Sequence, residues 1–165
     1  MPPDYGVLSV FSNEGGTLME TSSREWLYQQ IVEGAQDAIV FADPDGIIRL
    51  WNSGAEAIFG YSAEEALGQT LDLIVPEKLR ERHWEGYRKV METGVTRYGS
   101  ELLAVPALNK DDSRMSVEFT IVLLSDDAGK PVGTAAIMRD VTERWQKEKE
   151  LKKRLAELEE REKKM

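Results

Sequence analysis

An alternation of apolar and mostly polar residues over 114–124 is the feature that most constrains how this chain folds. Apolar residues recur at every second position, the spacing of a β-strand that buries one face: Met115, Val117, Phe119, Ile121 and Leu123. Two more strand-like stretches, 97–105 and 132–139, lie on either side and are joined to it by turn-forming segments rich in Asn, Asp and Gly. The second half of the chain therefore predicts three consecutive strands.

Two strands and several helices are predicted before this block. Residues 38–42 and 47–51 have the composition of strands, and the turn signal Asp43-Pro44-Asp45-Gly46 between them predicts a hairpin. Ser62 and Glu65 form a capping box that marks a short helix. Further helices are predicted from capping and breaker residues over 22–34, 55–59 and 77–91.

The composition excludes several classes of function. The chain has 165 residues, a formal net charge of −9 and no Cys. The negative charge argues against nucleic-acid binding, which requires cations for the phosphates. The lack of Cys removes disulfides, thiolate nucleophiles and zinc–thiolate sites. His83 is the one imidazole of the chain, and no glycine-rich phosphate loop or nucleophile–base pair is present. We therefore expect that the chain is not an enzyme.

The composition changes at residue 143. From there to the end the chain is almost all Glu, Lys, Arg, Leu and Ala, and it is nearly balanced in charge, so the acidity belongs to residues 1–142. Four residues lie near heptad spacing, which predicts either a dimeric coiled coil or a helix leading to a missing partner domain: Trp145, Leu151, Leu155 and Leu158.

These features divide the chain into four parts. We expect a flexible N-terminal arm over 1–21, a cap helix over 22–34, a globular domain over 35–142 and a coiled-coil helix over 143–165. No apolar run is long enough to cross a bilayer, and no secretion signal is visible. A cytoplasmic location is therefore expected.

The order of the elements and several short motifs resemble a PAS domain over residues 24–142. The motifs are Asp45-Gly46-Ile47-Ile48, Trp51-Asn52, the segment 57–65, Gly68, Val75-Pro76-Glu77, Thr93-Gly94 and Arg139-Asp140-Val141-Thr142. The resemblance implies an α+β PAS fold: a five-stranded antiparallel sheet with flanking helices, an N-terminal helical cap and a C-terminal coiled-coil helix. It also implies that residues 35–142 are a PAS sensor domain and that Asp140, Val141 and Thr142 pass a signal from the sheet to that helix.

The long helix resembles, in register, the helix that carries the iron ligand in the haem PAS domains of the rhizobial oxygen-sensor kinases. The spacings from Pro76 to His83 and from His83 to Thr93-Gly94 match, which puts His83 at the position of the axial haem-iron ligand. Helical spacing adds that His83 shares a face with other residues: Leu79, Gly86, Tyr87 and Val90. The resemblance therefore implies haem b held by His83 and a diatomic gas, CO, NO or O2, as the ligand sensed.

The resemblance also implies the rest of the cofactor site. Haem propionates need cations, and three lie near the family's basic partners: Arg88, Lys89 and Arg97. Leu103 stands where the oxygen sensors carry an Arg that hydrogen-bonds the bound gas. The expected wall is apolar, formed by Leu102, Leu103, Val105, Phe119, Ile121 and Met138. Such a wall favours CO or NO over O2, or gives a pocket in which the iron autoxidises. Alternatively a methionine is the sixth iron ligand, with Met115 and Met138 as candidates.

Other interpretations stay open. A lone His on an apolar helix face is also found as an ordinary core histidine, and either Met can serve only in packing. A flavin held by hydrogen bonds would use Trp51, Asn52, Arg97 and Glu118, although the chain lacks the Cys that light-sensing LOV relatives require. The remaining alternative is a haem-free PAS module that dimerises or binds another small molecule. In each case we expect a homodimer through the N-terminal helix, the coiled coil or both, which signals to an effector protein or a missing effector domain.

Overall fold

One antiparallel sheet and the helices around it make up the part of the chain that the structure describes. The computed structural model describes residues 21–96 and 102–165. In chain order its elements are α1 (Thr21–Gly34), β1 (Ala38–Ala42), β2 (Ile48–Trp51), α2 (Ser53–Phe59), α3 (Ala63–Ala66), a 3-10 turn (Leu71–Leu73), α4 (Glu77–Thr93), β3 (Leu103–Leu108), β4 (Arg114–Ser125), β5 (Pro131–Asp140) and α5 (Thr142–Lys164).

The strands pair in the spatial order β2-β1-β5-β4-β3, and every neighbouring pair is antiparallel. The first and the last strand of the chain order thus meet in the middle of the sheet, which brings residues 38–42 against the strand that leads into α5. This confirms the predicted α+β PAS fold with its five-stranded antiparallel sheet and flanking helices. The C-terminal helix is present as α5.

One face of the sheet is covered by the helices, and its burial is uneven. On β1 and β2, the covered residues Val40, Ala42 and Ile48 are buried, and the α2 residue Phe59 is buried in the same core. On β3 and β4, Ala107, Met115 and Val117 of this same face are also buried. Further along these two strands the face is only half-buried, as at Leu103 and Phe119. The face is therefore less well covered around Leu103 and Phe119 than over the rest of the sheet.

A buried amide joins α1 to the sheet. The Asn52 side chain is fully buried, and its Oδ1 accepts hydrogen bonds from the backbone N–H groups of Ile39 and Ala55 at 2.8 and 2.9 Å. Its Nδ2 donates to the carbonyls of Val32 and Asp37 at 2.8 and 3.1 Å. One side chain thus satisfies backbone groups at the end of α1, at the start of β1 and at the start of α2, as a buried polar group must.

The element boundaries differ from the sequence-based expectation by two or more residues at three places. Helix α2 begins at Ser53 rather than at residue 55 because Asn52 caps it. Strand β3 covers Leu103–Leu108 rather than 97–105; it is an edge strand, where Pro106 removes no hydrogen bond that the sheet needs. Residues 97–101 lie outside the described residues, as do residues 1–20 of the expected arm. Helix α4 continues to Thr93, where Gly94 ends it with a φ of 66°.

Within residues 21–96 and 102–165, no helix is both long enough and apolar enough to cross a bilayer.

Candidate functional site

Helix α4 is held in place along one face by hydrogen bonds to backbone and side-chain groups. The Tyr87 hydroxyl donates to the carbonyl of Asp43 at 2.6 Å and lies 3.1 Å from that of Ala42. The Trp84 indole donates to the Asp72 carboxylate at 2.8 Å, and Arg80 donates to the Asp72 carbonyl at 3.2 Å. These contacts fix α4 against the β1–β2 turn and the segment before the helix.

His83 lies at the edge of this face, next to a second face of α4 that is less well packed. At 100° per residue, His83 is followed around the helix by Val90, Leu79 and Gly86. Leu79 and Val90 are half-buried, whereas Gly86 is exposed and a Cβ built on it would find no atom within 4 Å. This side of the helix is therefore open to solvent at Gly86.

The His83 imidazole has a buried ring nitrogen without a partner. Its Nδ1 is buried and has no hydrogen-bond partner among the described residues. The ring packs edge-on to Trp84, with centroids 5.1 Å apart, and lies 6.0 Å from the Tyr87 ring. Burial lowers the pKa of His83, and the nearby Asp72 carboxylate opposes that shift only in part. A neutral imidazole is the form that can ligate a metal.

The sheet presents an apolar wall made of residues that are neighbours across the strands. Leu103 of β3 pairs with Phe119 of β4, which pairs with Met138 of β5. Ile121 lies two residues further along β4 on the same face, beside Ala136. Leu103, Phe119 and Ile121 are half-buried and Met138 is buried. This row brings together most of the wall that the sequence predicts.

Three of the predicted wall or ligand residues lie further from that row. Val105 is on the same face of β3 but is 37% exposed, and Leu102, just before the strand, is 62% exposed. Met115 is buried beside Ala107, four residues from Phe119 along β4, which is about 13 Å at the rise of a strand. Of the two methionines expected as a possible sixth ligand, Met138 is therefore the one that lies in the row with Leu103 and Phe119.

The predicted cations stand at the surface. Arg88 and Lys89 are exposed, and neither forms an ion pair with another described residue. The third, Arg97, lies outside the described residues. On the helical wheel Lys89 is nearer than Arg88 to the face that carries Gly86.

The arrangement fits a flat, apolar cofactor with a nitrogen ligand. An unpartnered buried imidazole nitrogen, open space at Gly86 and a half-buried apolar wall are the three observations that agree with haem. Buried polar atoms are normally satisfied, so an orphan of this kind is a position where an external group is expected.

The residues considered for a flavin do not come together. The Trp51 indole donates to the Tyr61 carbonyl at 3.0 Å, and the Asn52 amide is occupied by backbone groups on both sides. Glu118 lies on the opposite face of β4 from Phe119 and pairs with Arg144. Arg97 is outside the described residues.

The junction between β5 and α5 is held by a short hydrogen-bond chain. One Asp140 carboxylate oxygen accepts from the Thr142 N–H at 2.9 Å and from its hydroxyl at 2.6 Å. The Thr142 oxygen accepts from the Ser116 N–H at 2.9 Å, and the Val141 N–H donates to the Ser116 carbonyl at 2.9 Å. The sequence indicated residues 140–142 but not Ser116, because Ser116 makes these contacts through its backbone N–H and carbonyl groups. Such contacts do not depend on the residue type, so the sequence does not reveal them.

A family model for the PAS fold matches residues 32–146. The chain belongs to the PAS family. Two curated relatives of this PAS domain are sensors by name: the sensor protein FixL of Bradyrhizobium diazoefficiens, 30% identical over 82% of the chain and 26% of that protein, and the oxygen sensor protein DosP of Escherichia coli, 27% identical over 70% of the chain and 14% of that protein. The chain thus spans about a quarter or less of these relatives.

Solved structures agree with the PAS fold. A PAS domain from Colwellia psychrerythraea is 27% identical, with a TM-score of 0.64, covering 73% of this chain and 98% of that chain. An RNA-binding light-oxygen-voltage receptor is 20% identical, with a TM-score of 0.67, covering 88% of this chain and 41% of that chain. At that identity the second likeness concerns the fold alone. The chain is a sensory PAS module of the kind found in sensor proteins.

Proposed function

We propose that this PAS module binds haem b through His83, detects a diatomic gas and passes the signal to α5. The buried Nδ1 of His83, which has no hydrogen-bond partner in the described part of the chain, is the observation that carries the proposal. The register of α4 with the haem PAS domains of rhizobial oxygen-sensor kinases supports the same cofactor. The names of two relatives, a sensor protein and an oxygen sensor protein, support the sensory role.

Each residue of the site has a distinct role in the proposal. His83 offers a neutral imidazole, because burial lowers its pKa and keeps the ring unprotonated. Leu79, Val90 and the wall residues shield the cofactor from water. Lys89 at the surface supplies a charge for a propionate, a role proposed for Arg97 as well. Bound haem would supply an iron atom to which the gas binds.

The composition of the wall bears on which gas is detected. Leu103, Phe119 and Ile121 carry no hydrogen-bond donor in their side chains. Bound O2 is stabilised by donors near the iron, whereas CO and NO depend on them less. We therefore propose CO or NO as the preferred ligand, with Met138 as the residue able to occupy the sixth position in the absence of gas.

In this proposal the signal passes along β4 and β5, the strands that carry Phe119 and Met138. Phe119 and Met138 are paired neighbours on β4 and β5, and the Ser116–Thr142 contact ties the start of β4 to the start of α5. A displacement of the wall can therefore reach the helix through the Asp140–Thr142 junction. The receiver is an effector protein or an effector domain, in a cytoplasmic setting, and the chain itself has no catalytic part in this scheme.

An absorption spectrum tests the cofactor. We expect protein produced with haem available to show a Soret band that shifts when CO is added. The His83→Ala variant should lose the band or its CO response, because no other described side chain offers an imidazole. Glu85→Ala is the matched control: Glu85 is exposed on the far side of the same helix, so its band should be unchanged.

A sample that shows no Soret band after haem reconstitution, while remaining folded by circular dichroism, would overturn the proposal. Flavin fluorescence in that sample would instead indicate the flavin alternative.

A further inference from the structure

The Trp84 side chain lies against the His83 ring and is held by two contacts outside α4. Its indole N–H donates to Oδ1 of Asp72 at 2.8 Å. The six-membered part of the indole lies directly over Gly46, because a Cβ built on that glycine would come within 2.2 Å of two of its carbon atoms. The Trp84 and His83 rings stand edge-to-face, with centroids 5.1 Å apart and an angle of 74° between their planes. The surface on which the imidazole packs is therefore fixed by segments outside the helix.

The His83 ring depends on such ring contacts for its orientation. Its Nδ1 is buried and has no hydrogen-bond partner among residues 21–96 and 102–165, so no hydrogen bond at that atom orients the ring. The Tyr87 ring lies 6.0 Å from the imidazole and 5.7 Å from the Trp84 ring. Aromatic rings at these distances prefer tilted geometries to a face-to-face stack. A change in the position of Trp84 would therefore change that of the imidazole.

Asp72 is anchored in the segment that precedes α4. It lies in the 3-10 turn Leu71–Leu73. Its carbonyl accepts from the Arg80 guanidinium at 3.2 Å, and Arg80 Nε lies 3.8 Å from its carboxylate. The Asp72 charge raises the pKa of His83 against the larger effect of burial, which agrees with a carboxylate close to the imidazole. Asp72 thus lies beside both members of the Trp84–His83 pair.

We propose that Asp72 is a positioning residue for His83: by holding the Trp84 indole, it fixes the orientation in which the imidazole offers a nitrogen to the haem iron. Metal-binding histidines are normally oriented by the groups around them. Here the orienting contact is a neighbouring ring, and the hydrogen bond holds that ring. The inference rests on the proposed haem function for its purpose. The positioning itself is measured in the haem-free chain, so that either proposal can fail alone.

Nuclear magnetic resonance of the full, haem-free chain tests the positioning, because His83 is the one histidine and its imidazole C–H signals are unique. The fixed Trp84 ring shifts these signals away from those of a mobile histidine. Asp72→Ala removes the acceptor and should move them toward the mobile values. Asp72→Asn keeps an acceptor oxygen for the indole and should leave them near those of the parent. Spectra at about pH 8.5 keep the imidazole neutral in every variant.

A second variant tests whether Asp72 acts through Trp84. Trp84→Phe removes the N–H donor and should shift the His83 signals by itself. Adding Asp72→Ala to it should then change them no further, because the two residues act as a unit. Asp127→Ala, in an exposed turn, is the matched control and should leave the signals unchanged.

Haem transfer measures the consequence for the cofactor. In the chain loaded with haem, Asp72→Ala should release haem to an excess of apomyoglobin about tenfold faster than the parent, and Asp72→Asn should restore most of the difference. His83 signals that stay unchanged in a folded Asp72→Ala chain would overturn the positioning role, because Asp72 would then only anchor α4. Equal shifts in Asp72→Ala and Asp72→Asn would overturn it as well. The expected shifts in a chain that shows no Soret band would support the positioning and count against the cofactor.

Discussion

The Asn52 side-chain amide donates a hydrogen bond to the carbonyl of Val32 over 2.8 Å, across a separation of 20 residues. Val32 lies in the last turn of α1, and Asn52 lies at the end of β2. Since Oδ1 of the same side chain accepts from Ile39 and Ala55, a single buried residue decides where the N-terminal helix meets the sheet.

Replacing Asn52 by Asp should destabilise the fold strongly. The substitution keeps the acceptor oxygen but puts a second acceptor, normally charged, against the carbonyls of Val32 and Asp37. Unfolding in urea should show a loss of about 2–3 kcal/mol or more, since a buried polar group is left unsatisfied. Asn109→Asp is the control: the Oδ1 of Asn109 accepts from the backbone N–H groups of Asp111 and Ser113, and a carboxylate oxygen can accept the same bonds, so its stability should barely change. Equal losses in the two variants would contradict this account.

Gly46 is required both for its conformation and for the space beside it. Its φ is 76°, and an added Cβ would overlap the Trp84 ring. Gly68 has a similar φ of 83° but no atom within 4 Å of an added Cβ. Gly68→Ala should therefore cost about 1–2 kcal/mol for the left-handed conformation alone, and Gly46→Ala should cost clearly more.

The comparison of these two glycine variants is made by chemical denaturation. Trp84 fluorescence should also shift in Gly46→Ala, and it should not shift in Gly68→Ala. If the two variants lost the same stability, the contact between Trp84 and the β1–β2 turn would not contribute to the fold.

The Tyr87 hydroxyl should contribute measurably to the position of α4. Tyr87→Phe removes the hydrogen bond to the Asp43 carbonyl and should lower the free energy of unfolding by about 0.5–1.5 kcal/mol. Amide hydrogen exchange in α4 should become faster. Tyr28→Phe, at an exposed tyrosine of α1, should leave both quantities unchanged. A Tyr87→Phe variant with unchanged exchange in α4 would show that the ring alone holds the helix.

The Asp37–Arg139 pair should make stability depend on pH on the acid side. The Arg139 guanidinium donates to both carboxylate oxygens of Asp37, at 3.0 and 2.7 Å, and this holds the pKa of Asp37 below its ordinary value of 3.8. A carboxyl whose pKa is lowered by folding stabilises the native state above its unfolded pKa, and this contribution is lost as the pH falls through the folded pKa.

Asp37→Asn should therefore be less stable than the parent at neutral pH, and the difference should shrink once the pH falls below about 4. The effect is small because the pair is largely exposed to solvent. Thermal unfolding across the acid range measures it, with Asp127→Asn in an exposed turn as the control. A difference that stayed constant down to the lowest pH would mean that the pair does not titrate as described.

Much of the fold could be predicted from local patterns. The alternation from Met115 to Leu123 correctly indicated a strand with one covered face, because the side chains of a strand alternate between its two faces. The β1–β2 hairpin could also be predicted, because the residues from Asp43 to Gly46 are of types that favour a turn. The boundaries of β3 were not predicted, because the expected strand stops before Pro106, whereas an edge strand can include a proline.

Only part of the candidate site could be predicted from the sequence. Helical spacing placed Tyr87 with His83, and their rings do lie 6.0 Å apart. The same spacing could not show that the Tyr87 hydroxyl lies against the carbonyls of Asp43 and Ala42, 44 and 45 residues away. Nor could it show that Met138, rather than Met115, is the cross-strand neighbour of Phe119, because that depends on the register between two strands.

The sequence by itself determined the order of the elements, the PAS family and the single imidazole on α4, since these follow from residue types and short spacings. Only the tertiary structure decided that a ring nitrogen of this imidazole is buried with no hydrogen-bond partner among the described residues. The physical reason is that burial and hydrogen-bond satisfaction depend on which distant segments meet. At His83 these segments include the one around Asp72, which binds Trp84, and the β1–β2 turn, which binds Tyr87.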